Sequence, residues 1–383
     1  MRNRILIMTL LIALIAVGIA PATAQTAQPS AVDAGFTRFA HLSADAPAVD
    51  IYIGNVATPV ATNLKFGDVT DYVALPTTLS GYTARAAGSP ANSSPVARLD
   101  WGVKSNNSNI IIVVGLQETA SVSVEPITVV RTDTKGKARV RVISVVSGGP
   151  NLSVANKQGV QFSQNQKFLD VAAYKDVEPG TYSFSVSDGT GKSYTSADIA
   201  IGANEITELF VAGRTQSGVK LVPVVSKVDF TNVKIANQAA DAFDVYLKGT
   251  DQPFTAALGA GQSGTSQSIP SGAVTFVVRK AGGTVKDQEL AALPIQLRPY
   301  RDTTITITAG ANGTPQIAVS NDTLTLAFAP GISVAPAAGT ARATSAATAA
   351  ETAGATSAAT LSATSAATSA ATVAATLPAT AVR

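Results

Sequence analysis

From Phe36 onward the apolar residues come in short runs rich in Val, Ile, Thr and Tyr, broken by Gly, Pro, Asn and Asp. No long segment carries a helical stripe of period 3.6, so the pattern predicts strands throughout. In the first hundred residues of this region it predicts strands over 36–43, 49–53, 71–75, 82–87, 96–103, 109–115 and 121–130. Residues 110–114 (Ile-Ile-Ile-Val-Val) form a continuous apolar run. Such a strand has to be covered on both faces, because either face left in water would expose large apolar side chains. By contrast Tyr82, Ala84 and Ala86 alternate with Thr83 and Arg85, the period-two mark of a strand with one buried and one wet face.

The pattern then recurs. A second stretch opens with Val140 and Val142 alternating with Arg139 and Arg141, and a third opens with Asn232-Val233-Lys234-Ile235-Ala236. Each opening strand carries a basic residue followed by an apolar one: Arg38-Phe39, Arg141-Val142 and Lys234-Ile235. A turn and a second strand follow: Pro47-Ala48-Val49-Asp50-Ile51, then Pro150-Asn151-Leu152-Ser153-Val154, then Ala242-Phe243-Asp244-Val245. Further on, the alternation of Tyr82, Ala84 and Ala86 is matched to Tyr182, Phe184 and Val186, and to Val274, Phe276 and Val278. The period of about 95–100 residues suits a whole sandwich, whereas solenoid repeats are about 20–50 residues long. The chain is therefore expected to be all-β, with three tandem immunoglobulin-like antiparallel β-sandwiches over residues 36–131, 137–229 and 230–329.

The two ends read differently. Arg2 and Arg4 precede an apolar run over residues 5–20; Pro21 breaks it, and Ala22-Thr23-Ala24 precedes Gln25. That is the form of a secretion signal over residues 1–24, cleaved between Ala24 and Gln25 and followed by a linker over 25–35. The run is shorter than the roughly 20 residues that cross a bilayer, so no integral span is expected after processing. Residues 330–383 hold no aromatic residue, few charges and repeats of Ala-Thr-Ser-Ala-Ala-Thr. This segment is expected to be a disordered Ala/Thr/Ser stalk.

Composition narrows the function classes. The chain has 383 residues, 46% hydrophobic and 14% charged, and no cysteine. Disulfides, thiolate catalysis and thiolate metal sites are excluded. The net charge of +3 falls to near +1 without the signal, which gives no reason to expect nucleic acid as a partner. No cofactor or metal is expected. His41, the single histidine, stands with Ser43 and Asp45 in a His-x-Ser-x-Asp array. Alternate residues on a strand lie about 6.6 Å apart, too far for a catalytic relay, and the matching positions in the later stretches are Ser144 and Asn237. Asp45 and Asp50 could hold a ligand, yet nothing near them resembles a compact calcium loop, and Asp50 reads better as a turn or strand-edge residue. Trp101 could stack on a sugar ring or pack in a core. His41, Asp45, Asp50 and Trp101 are thus the candidate ligand-binding residues, with no catalytic set among them.

Residues 36–52 (FTRFAHLSADAPAVDIY), followed by Phe66-Gly67-Asp68-Val69-Thr70-Asp71-Tyr72, resemble the bacterial family called domain of unknown function 4397. The chain keeps that family's His41, Ser43, Asp45, Ala46, Pro47, Val49, Asp50 and Tyr52, and departs at Leu42 and Ala44. The second stretch keeps Arg141, Pro150 and Phe168-Leu169-Asp170-Val171; the third keeps Asp241, Asp244, Val245 and Tyr246. The resemblance implies secreted or surface-attached β-sandwich repeats and carries over no catalytic residue. The expectation is a non-enzymatic structural or adhesive protein, secreted or on the surface of a bacterial envelope, binding an unidentified surface glycan or protein. A carbohydrate-binding accessory protein is the alternative.

Overall fold

A computed structural model describes residues 33–332. The expected signal segment with Ala24 and Gln25, and the Ala/Thr/Ser segment from residue 333, lie outside them. The described chain is all-β, and its strands form six four-stranded sheets paired into three sandwiches.

The first sandwich contains β1 (Ala34–His41), β2 (Val49–Ile53), β3 (Ala61–Leu64), β4 (Val73–Pro76), β5 (Ser80–Ala86), β6 (Ala97–Gly102), β7 (Ser108–Val114) and β8 (Ser123–Val129). Its sheets are β3-β2-β5-β6 and β4-β1-β7-β8. The second contains β9 (Ala138–Ser144), β10 (Leu152–Asn156), β11 (Gln161–Gln166), β12 (Lys175–Val177), β13 (Gly180–Asp188), β14 (Ser193–Ile201), β15 (Glu205–Arg214) and β16 (Gly218–Lys227). The third contains β17 (Phe230–Asn237), β18 (Phe243–Leu247), β19 (Pro253–Leu258), β20 (Gln267–Pro270), β21 (Gly272–Lys280), β22 (Ala291–Leu297), β23 (Arg301–Ala309) and β24 (Pro315–Leu324). All three repeat one strand order. One pair in each departs from the expected antiparallel ladder: β1 with β7, β9 with β15 and β17 with β23 run parallel. Parallel neighbours need a long crossover, and the strands of the opposite sheet supply it.

The third strand of each sandwich (β3, β11, β19) is the element that alternation misses. Each carries a bulge, with Asn63, Asn165 and Ala257 at φ 51°, 51° and 47°. A bulge interrupts the period-two pattern. The ladder also corrects the repeat alignment in the hairpin strand. Asp50 faces Arg85, Ser153 faces Ser187 and Asp244 faces Arg279, so Tyr82 corresponds to Phe184 and Phe276 rather than to Tyr182 and Val274. A slip of two residues keeps the same face, so the hydrophobic pattern cannot detect it.

The continuous apolar run of β7 is buried at every position. Ile111 and Val113 point into the first sandwich with Phe39, Ile51 and Tyr82. Ile110, Ile112 and Val114 point the other way, into a second core shared with the next sandwich. Seven buried apolar residues of the first sandwich meet eight from the second, among them Ile143, Ile206, Phe210 and Val224. The sheets β4-β1-β7-β8 and β12-β9-β15-β16 therefore pack face to face. Burying one large aliphatic side chain contributes about 1.5–3 kcal/mol, so this core outweighs any linker contact.

The packing is reciprocal. Arg38 donates to the Val225 carbonyl at 2.7 Å, and its counterpart Arg141 donates to the Thr128 carbonyl at 2.6 Å. Tyr72 lies beneath Arg38 at 5.0 Å, and its counterpart Tyr174 lies beneath Arg141 at 4.3 Å. The two sandwiches thus use equivalent surfaces, as subunits about a two-fold axis do. The symmetry breaks at Glu208, which stands where the first sandwich has Ile110. Its carboxylate accepts from the Tyr174 hydroxyl at 2.6 Å and lies 3.5 Å from Arg141. Burial pushes its pKa up to about 7, against the pull of Tyr174 and Arg141. In the third sandwich the corresponding face is polar. Thr304, Thr306 and Thr308 replace the apolar series, and Lys234 replaces the arginine.

Two outcomes test this arrangement. Truncating Phe210 to Ala, within the second sandwich, is expected to cost about 3–5 kcal/mol. Because the core is shared, the urea midpoint reported by Trp101 fluorescence in the first sandwich should fall with it; an unmoved Trp101 transition contradicts the shared core. Glu208 has a raised folded pKa, so its contribution is complete below the unfolded value near 4.5 and is lost as pH rises through about 7. Urea denaturation across pH 5–8 should show this decline in the native chain, and Glu208→Gln should remove that part of it.

Candidate functional site

The connections between sandwiches converge on Arg131, which follows β8. Its guanidinium is almost fully buried and meets groups from all three sandwiches. Nε donates to the Lys227 carbonyl at 2.7 Å, and Nη1 donates to Ser108 at 3.2 Å and to the Tyr300 hydroxyl. Nη1 also lies 2.9 Å from the Asp229 carboxylate. The rings of Tyr72 and Tyr300 flank the cation at 4.6 and 5.2 Å. Burial pushes the Asp229 carboxyl up to about 6, while Arg131 draws it down.

Beside this pair opens a cleft of about 320 Å³ where the sandwiches meet. Asn106, Asn107, Thr132, Asp229, Gln296 and Arg298 supply its polar wall. The side-chain amide oxygen of Asn106 is buried and meets no protein donor. Arg298 reaches the cleft while paired with Asp322. Such a wall offers amide donors and acceptors, a carboxylate and a guanidinium, the set that holds polyhydroxyl or amide ligands. A larger, open groove of about 780 Å³ crosses the end of the third sandwich over Leu247, Ala273, Thr275 and Pro294. Lys248 is its one charged group, so it lacks converging chemistry despite its size.

The residues singled out from sequence are dispersed. His41 is fully buried and donates from Nε2 to the Pro47 carbonyl at 2.9 Å. Burial lowers its pKa, which favours the neutral ring. Its counterpart Asn237 repeats the bond, donating to the Asp241 carbonyl at 2.7 Å. Asp45 accepts from the Gln117 and Glu118 amides at 2.8 and 3.2 Å and lies 3.8 Å from Arg214 of the second sandwich. Those contacts, burial notwithstanding, hold its carboxyl below the usual range.

Asp50 accepts from the Asn63 and Gly88 amides at 2.7 and 2.8 Å, so it clamps the β3 bulge. Asp244 does the same for Ala257 and Gly282, and the Ser153 hydroxyl accepts from Asn165. Trp101 is half-buried, 6.3 Å from the Tyr82 ring. The structure therefore brings none of these four into a common site. It assembles instead Asn106, Arg131, Asp229 and Arg298, which sequence reasoning passed over. They lie in loops and joints, where no spacing marks a residue as converging. Among the described residues no group of three or more His, Asp or Glu side chains could hold a metal ion, and no helix is long and apolar enough to cross a membrane.

The His41 contact makes a direct prediction. His41→Asn should keep stability close to that of the native chain, because Asn237 fills the same role. His41→Leu leaves the Pro47 carbonyl without its donor and should cost about 1–3 kcal/mol in urea denaturation. Because the folded pKa lies below the unfolded 6.5, the native chain should lose this contribution as pH falls through the folded value, and His41→Asn should not.

The family model described as "Domain of unknown function (DUF4397)" matches residues 35–155 and 138–235. No curated protein matches the sequence. Among solved structures, the Bacillus anthracis TIE protein is 13% identical, with 72% of this chain and 50% of that one covered and a TM-score of 0.16. The chain thus spans half the length of that protein. CBMbc (family CBM26) from Eubacterium rectale Amy13K, solved in complex with maltoheptaose, is 16% identical, with 50% of this chain and 96% of that one covered and a TM-score of 0.18.

Proposed function

The chain belongs to the DUF4397 family, and from that premise we propose that it is a non-enzymatic structural and adhesive protein, secreted or held at the cell surface. One observation carries the reading. The first two sandwiches share a core, and Arg131 ties the third to them, so the loops and clefts of three modules are held in fixed relation. The last described segment strengthens the tie. After β24 the chain returns to the first sandwich, where Phe328 bridges Ala74 and the Ala74 amide donates to the Ala327 carbonyl at 2.9 Å. Leu324, Leu326 and Phe328 pack there on Phe36 and Ala34. A body closed in this way transmits force between its modules, as suits a spacer or an adhesin.

The second reading, carbohydrate binding, is favoured by the polar junction cleft more than by Trp101, whose ring packs against the core of the first sandwich. Incubation of the mature chain with a panel of envelope polymers tests both. Binding without chemical change to the polymer is expected, whereas turnover that disappears in His41→Ala contradicts the non-enzymatic reading. On a glycan array, filling the cleft with Asn107→Trp should abolish binding while Trp101→Ala leaves it within about twofold. Loss in Trp101→Ala alone would move the site to that ring.

A further inference from the structure

A second polar site is visible by comparing the chain with itself. In the first and third sandwiches the outer sheet carries the same cradle. Arg85 lies over Tyr52 at 5.7 Å, and Arg279 lies over Tyr246 at 5.8 Å. Each tyrosine hydroxyl donates to a carbonyl of the overlying hairpin, Ser89 at 3.4 Å and Gly283 at 3.2 Å. Asp50 and Asp244 each clamp two backbone amides beside the cradle.

The cradles differ at one position. Arg279 is paired with Glu289 at 3.2 Å. The ladders place Glu289 two residues before Ala291, the partner of Val278; the corresponding position in the first sandwich precedes Ala97, the partner of Ala84, and holds Pro95. Among the described residues Arg85 makes no ion pair and no hydrogen bond, and its Nε and Nη1 are buried without a protein acceptor. Asp50 faces Arg85 across the ladder but makes no ion pair with it; its two oxygens accept from Asn63 and Gly88. The hairpin above is rich in hydroxyl and amide groups (Ser89, Asn92, Ser93, Ser94), and the Ser93 hydroxyl is also buried without a partner. The second sandwich has Ser187 and Ala155 in place of the arginine and tyrosine, and so lacks the cradle.

We propose that the Arg85–Tyr52 cradle binds the carboxylate of a uronic-acid-containing glycan, taking from a ligand the group that Glu289 provides within the third sandwich. Nε and Nη1 of Arg85 are buried, which leaves Nη2, the nitrogen through which Arg279 meets Glu289, for a ligand carboxylate in a charge-assisted hydrogen bond. The surrounding hydroxyl and amide groups suit sugar hydroxyls better than an acidic peptide. The proposal stands apart from the junction cleft, and the variants below leave that cleft untouched.

Calorimetric titration of the mature chain with trigalacturonate tests it, with the methyl-esterified trisaccharide and a glutamate-rich peptide as further arms. Saturable binding of the acid is expected, at least tenfold weaker for the ester and for the peptide. Pro95→Glu, which installs the carboxylate of the third sandwich, should weaken binding at least tenfold while thermal unfolding shows the fold intact. Arg85→Lys should weaken it several-fold. Equal binding of acid and ester, equal binding of the peptide, binding unaffected by Pro95→Glu, or no binding of the acid would each overturn the proposal.

Discussion

The structure depends on the second face of β7. A strand apolar on both faces cannot end a sandwich, because one face would be left in water. Here that face is closed by another module through a shared core, and the partner uses the equivalent sheet. The first two sandwiches are thereby two halves of one packed body, although each has its own core. Their pairing follows the logic of a two-fold dimer, with arginine–carbonyl and arginine–tyrosine contacts made twice. In the third module no such partner sheet packs among the described residues: threonine replaces isoleucine and phenylalanine, and the face is compatible with water.

From this pairing follows the chemistry of the joints. Once two sheets are held face to face, the chain leaving the first and the chain leaving the second are brought side by side, and Arg131 and Asp229 meet, largely buried, against Tyr72 and Tyr300. A buried pair of this kind is weak as a source of net stability, but losing one partner strands a charge. The pair joins the connections that follow the first and second sandwiches to Tyr300 of the third. The cleft beside it exists only in the assembled body, since its walls come from different modules.

Much of this was legible in the sequence, and its limits are physical. The apolar run at residues 110–114 required two covered faces, but no pattern in one strand names what covers it. The repeat of about 95–100 residues was visible because every module opens with the same basic–apolar alternation. The match of Tyr82 to Tyr182 was off by two residues, because a two-residue slip leaves every side chain on its own face. The third strand of each module was hidden by its bulge, although the Asp50 and Asp244 that clamp two of these bulges were visible as recurrent residues. His41 drew attention as a lone titratable group, and its counterpart Asn237 shows the position to be a backbone tie. Arg131, Asp229 and Asn106 could not be found, because convergence of loops is a property of packing and leaves no spacing in the chain.

Native-state hydrogen exchange in rising denaturant measures whether the shared core unites the first two modules. The amides of β7 and β15, central strands of two different modules, should open in one global event, with the same free energy and the same denaturant dependence. Exchange of β15 at a lower free energy than β7, with β7 still protected, would mean that the modules unfold independently and that the shared core does not unite them.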